Sequence, residues 1–235
     1  RNFINGDFAR KASESSLAEL NPSTNETLAE VPNSDGAEVD AAVMAAQEAQ
    51  LGWERLPAIQ RAHYLRRISK KVREHRDRLA ELITREQGKV LGLAQVEVDF
   101  TADYIDYMVE WARRIEGEVI TSDRPNETIL LLRKPVGVVA GILPWNFPFF
   151  LIARKLAPAL VTGNTIVIKP SEETPLNAFE FARLVAECDL PRGVFNLIGG
   201  GRETGAALVG HCGVDLVSFT GSVGTGIHIM RAAAD

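Results

Sequence analysis

The chain has 235 residues, 46% hydrophobic and 24% charged, with a formal net charge of −5 at pH 7. That composition suits a folded chain with a sizeable core, and the acidic balance argues against nucleic-acid binding, which needs a Lys and Arg surplus on some surface. Cys188 and Cys212 are too few for a disulfide framework or a cysteine zinc site, His63, His75, His211 and His228 lack ligand spacing, and no apolar run reaches the roughly 18 residues of a membrane span.

Residues 2–8 (NFINGDF) alternate around Asn5-Gly6 and predict a short hairpin. Asn21-Pro22 and Pro32-Asn33 punctuate a second extended stretch around Leu28. Residues 37–50 are Ala-rich and read as a helix; Pro57 starts another, with Leu65, Ile68 and Val72 on one face and Gly88 as its stop. Arg and Lys dominate between Arg61 and Glu86 at helical spacing, which reads as a solvated helix face. Leu93, Val96, Phe100, Tyr104, Met108, Trp111 and Ile115 recur at spacings of three and four, so they predict a helix whose aromatic stripe is core.

Residues 118–134 place Ser122, Asp123, Pro125 and Asn126 between Val119-Ile120 and Ile129-Leu130-Leu131-Leu132, the pattern of a projecting hairpin. After Pro135 the texture is that of a parallel α/β sheet: short apolar runs at 138–143, 165–168, 194–198 and 216–219 alternate with helical stretches near 149–161, 177–188 and 203–209. No signal-peptide core precedes these elements, and a reducing, cytoplasmic location is expected.

Four strand ends carry chemistry. In Leu143-Pro144-Trp145-Asn146-Phe147-Pro148 two prolines fix the backbone around an Asn where open α/β sheets place ligands. Its amide can donate to a developing oxyanion, or it can simply satisfy a rigid turn. In Lys169-Pro170-Ser171-Glu172, an ammonium and a carboxylate can hold a ribose or pair with each other. Gly199-Gly200-Gly201-Arg202-Glu203-Thr204-Gly205 opens a helix and permits close backbone approach, but its spacing fails the usual dinucleotide fingerprint, and no phosphate-loop motif is present. Ser218-Phe219-Thr220-Gly221-Ser222-Val223-Gly224 ends in a helix N-terminus that suits a pyrophosphate, with Ser222 as cap, ligand or both.

In the order Pro144-Trp145-Asn146-Phe147-Pro148, Lys169-Pro170-Ser171-Glu172, Pro191-Arg192-Gly193-Val194-Phe195-Asn196, Phe219-Thr220-Gly221-Ser222, the sequence resembles the aldehyde dehydrogenase superfamily over essentially its whole length. Ala102-Asp103-Tyr104-Ile105-Asp106-Tyr107-Met108, Glu110-Trp111-Ala112-Arg113-Arg114 and Ser122-Asp123-Arg124-Pro125 are most similar to bacterial members acting on lactaldehyde or glycolaldehyde. The resemblance implies an α/β, Rossmann-like NAD-binding domain in two parts, residues 1–117 with N-terminal helices and residues 135–235. Residues 118–134 would be an oligomerisation β-hairpin between them, and the catalytic domain would be absent from this chain.

By the same resemblance Asn146 shares an oxyanion hole, Lys169, Pro170, Ser171 and Glu172 hold the adenosine ribose, and the backbone of Leu143, Pro144 and Trp145 lines the cofactor cleft. Gly201 and Gly205 belong to the cofactor loop, which looks one residue shorter than in close relatives, and Gly221 and Ser222 meet the pyrophosphate. The cofactor is NAD, with NADP admissible; the partners are a small aldehyde and further copies of the chain, with no nucleic acid or membrane. Arg154 stands where most members carry Trp beside the substrate tunnel, which suits a small hydroxyaldehyde. The family's E-L-G-G-K base segment and G-Q-x-C nucleophile segment do not occur in this sequence. Neither Cys188 nor Cys212 matches the nucleophile motif, so this chain by itself is expected to be inactive. A non-catalytic nucleotide-binding or assembly module is the alternative, as is a dehydrogenase for another aldehyde such as succinate semialdehyde.

Overall fold

A computed structural model describes residues 1–9 and 15–234. The chain opens with a hairpin, β1 (Phe3–Ile4) and β2 (Asp7–Phe8), turned by Asn5 and Gly6 at φ 54° and 77°, the left-handed pair that a tight two-residue hairpin requires. The stretch around Leu28 is one arm of a second hairpin, β3 (Ser16–Leu20) with β4 (Thr27–Pro32). Helix α1 (Gly36–Glu54) starts from a capping box: Asp35 accepts from the Glu38 amide at 2.9 Å, and Glu38 accepts from the Asp35 amide at 3.3 Å.

The helix expected from Pro57 to Gly88 is two, α2 (Ala58–Glu74) and α3 (Arg76–Gln87), broken at His75, whose backbone leaves the helical region at φ −110°, ψ 18°. Gly88 ends α3 at φ 75°, as expected of a glycine stop. Helix α4 (Leu91–Val109) ends earlier than Ile115, in a short 3-10 turn at Glu110–Arg113. Its stripe is a correction: Leu93, Val96, Phe100 and Trp111 lie 38–60% exposed, Tyr104 and Met108 pack partly against the core, and Phe100 touches it by stacking on Phe150 at 4.5 Å. The buried face is Ala94, Glu97, Val98, Thr101, Ala102, Ile105 and Val109. Small residues let α4 lie close to its neighbours, which a row of aromatic rings would prevent.

Strands β5 (Glu118–Thr121) and β6 (Thr128–Leu131) form the expected hairpin, exposed along both arms. Beyond it come β7 (Val138–Ile142), α5 (Pro148–Val161), β8 (Thr165–Lys169), α6 (Leu176–Ala186), β9 (Phe195–Leu197), α7 (Arg202–Val209), β10 (Leu216–Phe219) and α8 (Val223–Ala232). The main sheet has the order β10-β7-β8-β9-β1-β2, parallel from β10 to β9 and antiparallel from β9 to β1. The N-terminal hairpin thus extends the sheet, a pairing its local sequence gave no sign of.

The two faces of the sheet alternate as a pleat requires. Val139, Ile166, Ile168, Phe195 and Leu197 join one cluster with α2 to α6, while Val138, Ala140, Ile142 and Val167 join another with α1 and α7. Each fully buried Leu, Ile or Phe here contributes about 1.5–3 kcal/mol of transfer free energy. The basic face of α2 and α3 is neutralised across helices by pairs such as Arg76 with Asp99 and Arg73 with Asp103 and Asp106, all at 2.7 Å. Among the described residues no helix is long and apolar enough to cross a membrane.

Candidate functional site

Strands β7, β8 and β9 follow one another across the sheet, whereas β10 returns to the far side of β7. The connections therefore diverge at β7 and β10, and the crevice at the C-terminal ends of such strands is where open α/β sheets bind ligands. All four predicted strand ends lie on that edge: Asn146 after β7, Lys169 ending β8, the glycine turn after β9, and Thr220-Gly221-Ser222 after β10.

The turn after β7 is stiff. Leu143 is buried and its amide donates to the Lys169 carbonyl at 3.2 Å, tying the turn to β8, while Pro144 is half-buried and Trp145 is 56% exposed. Asn146 is exposed; its Oδ1 accepts from the Phe147 amide at 3.0 Å, which turns the side-chain NH2 outward with no partner among the described residues. Pro148 then opens α5, where its missing N–H costs nothing. Arg154, in the second turn of α5, is exposed and close enough to Tyr104 to favour its phenolate against the effect of burial.

Lys169 is buried and its Nζ donates to Glu172 at 3.1 Å. Burial pulls the ammonium below the usual lysine range, with Glu172 opposing. Burial also works to raise Glu172, but its own backbone amide and Lys169 outweigh that and hold the carboxyl below the usual range. Glu172 is thus held as a carboxylate beside Lys169, with its side chain 42% open to solvent. Pro170 and Ser171 are buried beneath it, Ser171 accepting from the Glu173 amide at 3.3 Å. Gly205 on α7 faces this pair: a Cβ there would stand 3.8 Å from Lys169 Cδ, so the missing side chain leaves room above the lysine stem.

The glycine turn is held from behind. The Gly199 amide donates to Asn2 Oδ1 at 2.9 Å and the Gly201 amide to Asn33 Oδ1 at 3.2 Å, so two of the N–H groups that might meet a phosphate already have partners. The free donors nearby are at α8. Ser222 caps that helix, accepting from the Thr225 amide at 3.2 Å, and remains exposed. A Cβ at Gly224 would meet nothing within 4 Å, so the first turn of α8 is open to an approaching group. A Cβ at Gly221 would fall 2.4 Å from the Phe219 ring, which would have to move to admit it.

Three buried ionisable groups escaped sequence reasoning. Lys155 on α5 donates to Thr220 Oγ1 at 2.8 Å, linking the β7 and β10 sides of the crevice; burial, with Arg154 adding like charge, lowers its ammonium to about 8. Glu97 accepts from the Phe149 and Phe150 amides at 2.9 and 3.1 Å, and Glu86 from the Leu176 and Asn177 amides at 2.7 and 2.9 Å. Cys188 is buried and burial pushes its thiol up to about 11, which removes it as a nucleophile; Cys212 is exposed.

A parallel sheet with the Lys169–Glu172 pair, an open α8 N-terminus and the Asn146 amide along one strand-end edge has the architecture of a nucleotide-binding α/β domain. The chain belongs to the aldehyde dehydrogenase family, whose profile matches residues 8–235. It is similar to lactaldehyde dehydrogenase of Escherichia coli K12, 54% identical over 233 residues that make up 99% of this chain and 49% of that protein. A crystal structure titled lactaldehyde dehydrogenase from Escherichia coli superimposes with a TM-score of 0.97 at 54% identity, covering 99% of this chain and 49% of the other. D-Glyceraldehyde dehydrogenase (NADP(+)) of Thermoplasma acidophilum is 37% identical over 99% of this chain and 47% of its own length. The chain therefore spans about half the length of the curated relatives it matches.

Proposed function

We propose that this chain is the cofactor-binding half of an NAD-dependent dehydrogenase that oxidises a small hydroxyaldehyde, such as lactaldehyde or glycolaldehyde, to the carboxylate. The observation that carries the reading is the convergence of Asn146, the Lys169–Glu172 pair and Ser222 on the crevice between β7 and β10. The residues fit a dinucleotide. Glu172 can accept from the two hydroxyls of the adenosine ribose and Lys169 can donate to them, in the room left by Gly205. Ser222 and the open amides of α8 suit the pyrophosphate. When bound, the nicotinamide supplies the hydride acceptor for the oxidation.

In this reading the chain's own chemical contribution is Asn146, whose exposed side-chain NH2 has no partner among the described residues and can donate to a carbonyl oxygen as it gains charge. The cysteine nucleophile and glutamate base implied by the family likeness lie in motifs this sequence does not contain. Arg154 supports the short hydroxyaldehyde: an exposed guanidinium donates to hydroxyl oxygens, and a plain aliphatic chain offers it none. The β5–β6 hairpin, with Val119 76% and Leu130 61% exposed, supports assembly of the intact enzyme through that arm.

The test is aldehyde-dependent NADH formation by the full-length protein carrying this chain. Asn146→Ala should lower kcat by roughly 10²–10³-fold, the usual loss of one oxyanion donor, and Arg154→Trp should narrow the preference for glycolaldehyde over propanal. A full-length protein that leaves NAD unreduced with every short aldehyde contradicts the proposal, and an unchanged preference removes Arg154 from the substrate site.

A further inference from the structure

Behind Asn146 lies a group of buried and half-buried side chains on α3, α4 and the link between them. Glu97, on the buried face of α4, has a fully buried side chain. Its Oε1 accepts from the amides of Phe149 and Phe150, the second and third residues of α5, which would otherwise lack partners. Its Oε2 accepts from Lys89, in the link between α3 and α4, whose side chain is only 10% exposed. The same Lys89 Nζ donates to the Asn146 carbonyl at 3.1 Å and stands 4.0 Å from the centre of the Phe147 ring. Gln87 donates to that carbonyl as well, also at 3.1 Å. Gln87 at the end of α3 and Lys89 in the link to α4 thus converge on the backbone carbonyl of Asn146, whose side-chain NH2 is exposed and without a partner among the described residues.

We propose that Glu97 and Lys89 are positioning residues for Asn146: the buried carboxylate fixes the start of α5 and anchors the lysine, and the lysine fixes the Asn146 backbone so that its NH2 is aimed before substrate arrives. This rests on the proposed role of Asn146 as an oxyanion donor. A helix start needs only an acceptor, which a neutral side chain can supply. The anionic Glu97 holds a cation as well, and that cation reaches past α5 to the turn. Preorganisation of this kind matters because a donor displaced by a fraction of an ångström loses most of its advantage in the transition state.

The test is a double-mutant cycle in the full-length protein, with Lys89→Met and Asn146→Ala made singly and together. Lys89→Met should lower kcat by roughly tenfold, part of the full oxyanion loss, with NAD affinity within twofold of wild type. The double variant should be no slower than Asn146→Ala alone, and Lys89→Arg, which keeps a cationic donor, should recover most of the rate. Multiplying losses in the double variant would show that Lys89 acts otherwise than through Asn146 and would overturn the proposal. Hydrogen exchange of the segment 145–151 supplies a readout that does not depend on the reaction. It should quicken in Lys89→Met and return in Lys89→Arg, and unchanged exchange overturns the proposal whatever the enzyme oxidises. If exchange responds as expected while Asn146→Ala leaves the rate unaltered, then the oxyanion role fails and the inference about aim fails with it.

Discussion

At the scale of single residues, charge placement separates the cofactors. Glu172 is held ionised by its own amide and Lys169, so the 2′-phosphate of NADP would meet a carboxylate where NAD presents a hydroxyl. The full-length protein should therefore have the higher kcat/KM with NAD, and Glu172→Gln should raise the relative efficiency with NADP by roughly tenfold, the worth of one modest charge contact. Equal use of both cofactors by the wild type would remove Glu172 from that role. A second group of carboxylates sets a pH dependence. Glu19, Glu86, Glu172 and Glu173 line one cleft, where burial, with Glu86 and Glu173 adding like charge, pushes Glu19 up to about 8. Burial takes Glu86 to about 7 despite hydrogen bonds from Asn177 and Leu176. Both are raised, so the stability they contribute is complete below the ordinary carboxylate range and is lost as pH climbs through 7 to 8. The Tm should fall between pH 6 and pH 9, and Glu19→Gln should flatten the fall; a Tm that rises over that interval contradicts the assignment.

At the scale of elements, two helices of the α/β part begin on carboxylates from outside it: α5 on Glu97 and α6 on Glu86, which takes the Leu176 and Asn177 amides and the Asn177 side chain. Glu86→Leu should cost about 2–4 kcal/mol in urea unfolding, because it leaves the Leu176 and Asn177 amides unmet and takes one of the two acceptors of the Asn177 side-chain amide, whereas Glu86→Gln should cost less than half as much. Equal losses would show that the cap is not what Glu86 supplies. These caps mark the limit of sequence reading. The four parallel strands, their helices, the N-terminal hairpin and the projecting β5–β6 hairpin follow from apolar periodicity and turn residues near in sequence, and so do the four strand ends of the crevice. Glu86, Glu97, Lys89 and Lys155 look like ordinary surface charges until partners between 8 and 91 residues away are in place. The α4 stripe misled for the opposite reason. Its periodicity is real, but the helix turns that aromatic-rich face outward and packs inward through a second one, Ala94, Val98, Ala102, Ile105 and Val109 beside Glu97 and Thr101.

At the scale of the whole molecule, much apolar surface is open: the outer face of α4, both arms of the β5–β6 hairpin, and Val223, Ile227 and Met230 on α8. Patches of this kind mark interfaces, and the chain spans about half of its relatives. Residues 1–235 expressed alone should accordingly self-associate in light scattering and give no NADH with glycolaldehyde, while the proposed ribose and pyrophosphate contacts, which lie within the chain, should still bind NAD in weakened form. Robust NADH formation that is lost on mutating Cys212 would show that the nucleophile has been misidentified. The central claim is that the crevice between β7 and β10 holds NAD through Lys169 and Glu172, and calorimetric titration of the chain with NAD tests it most directly. The account predicts saturable binding by the wild type that weakens at least about tenfold in Glu172→Ala, the loss of a charge-assisted contact. No binding by the full-length protein, or equal affinity in wild type and variant, would contradict it.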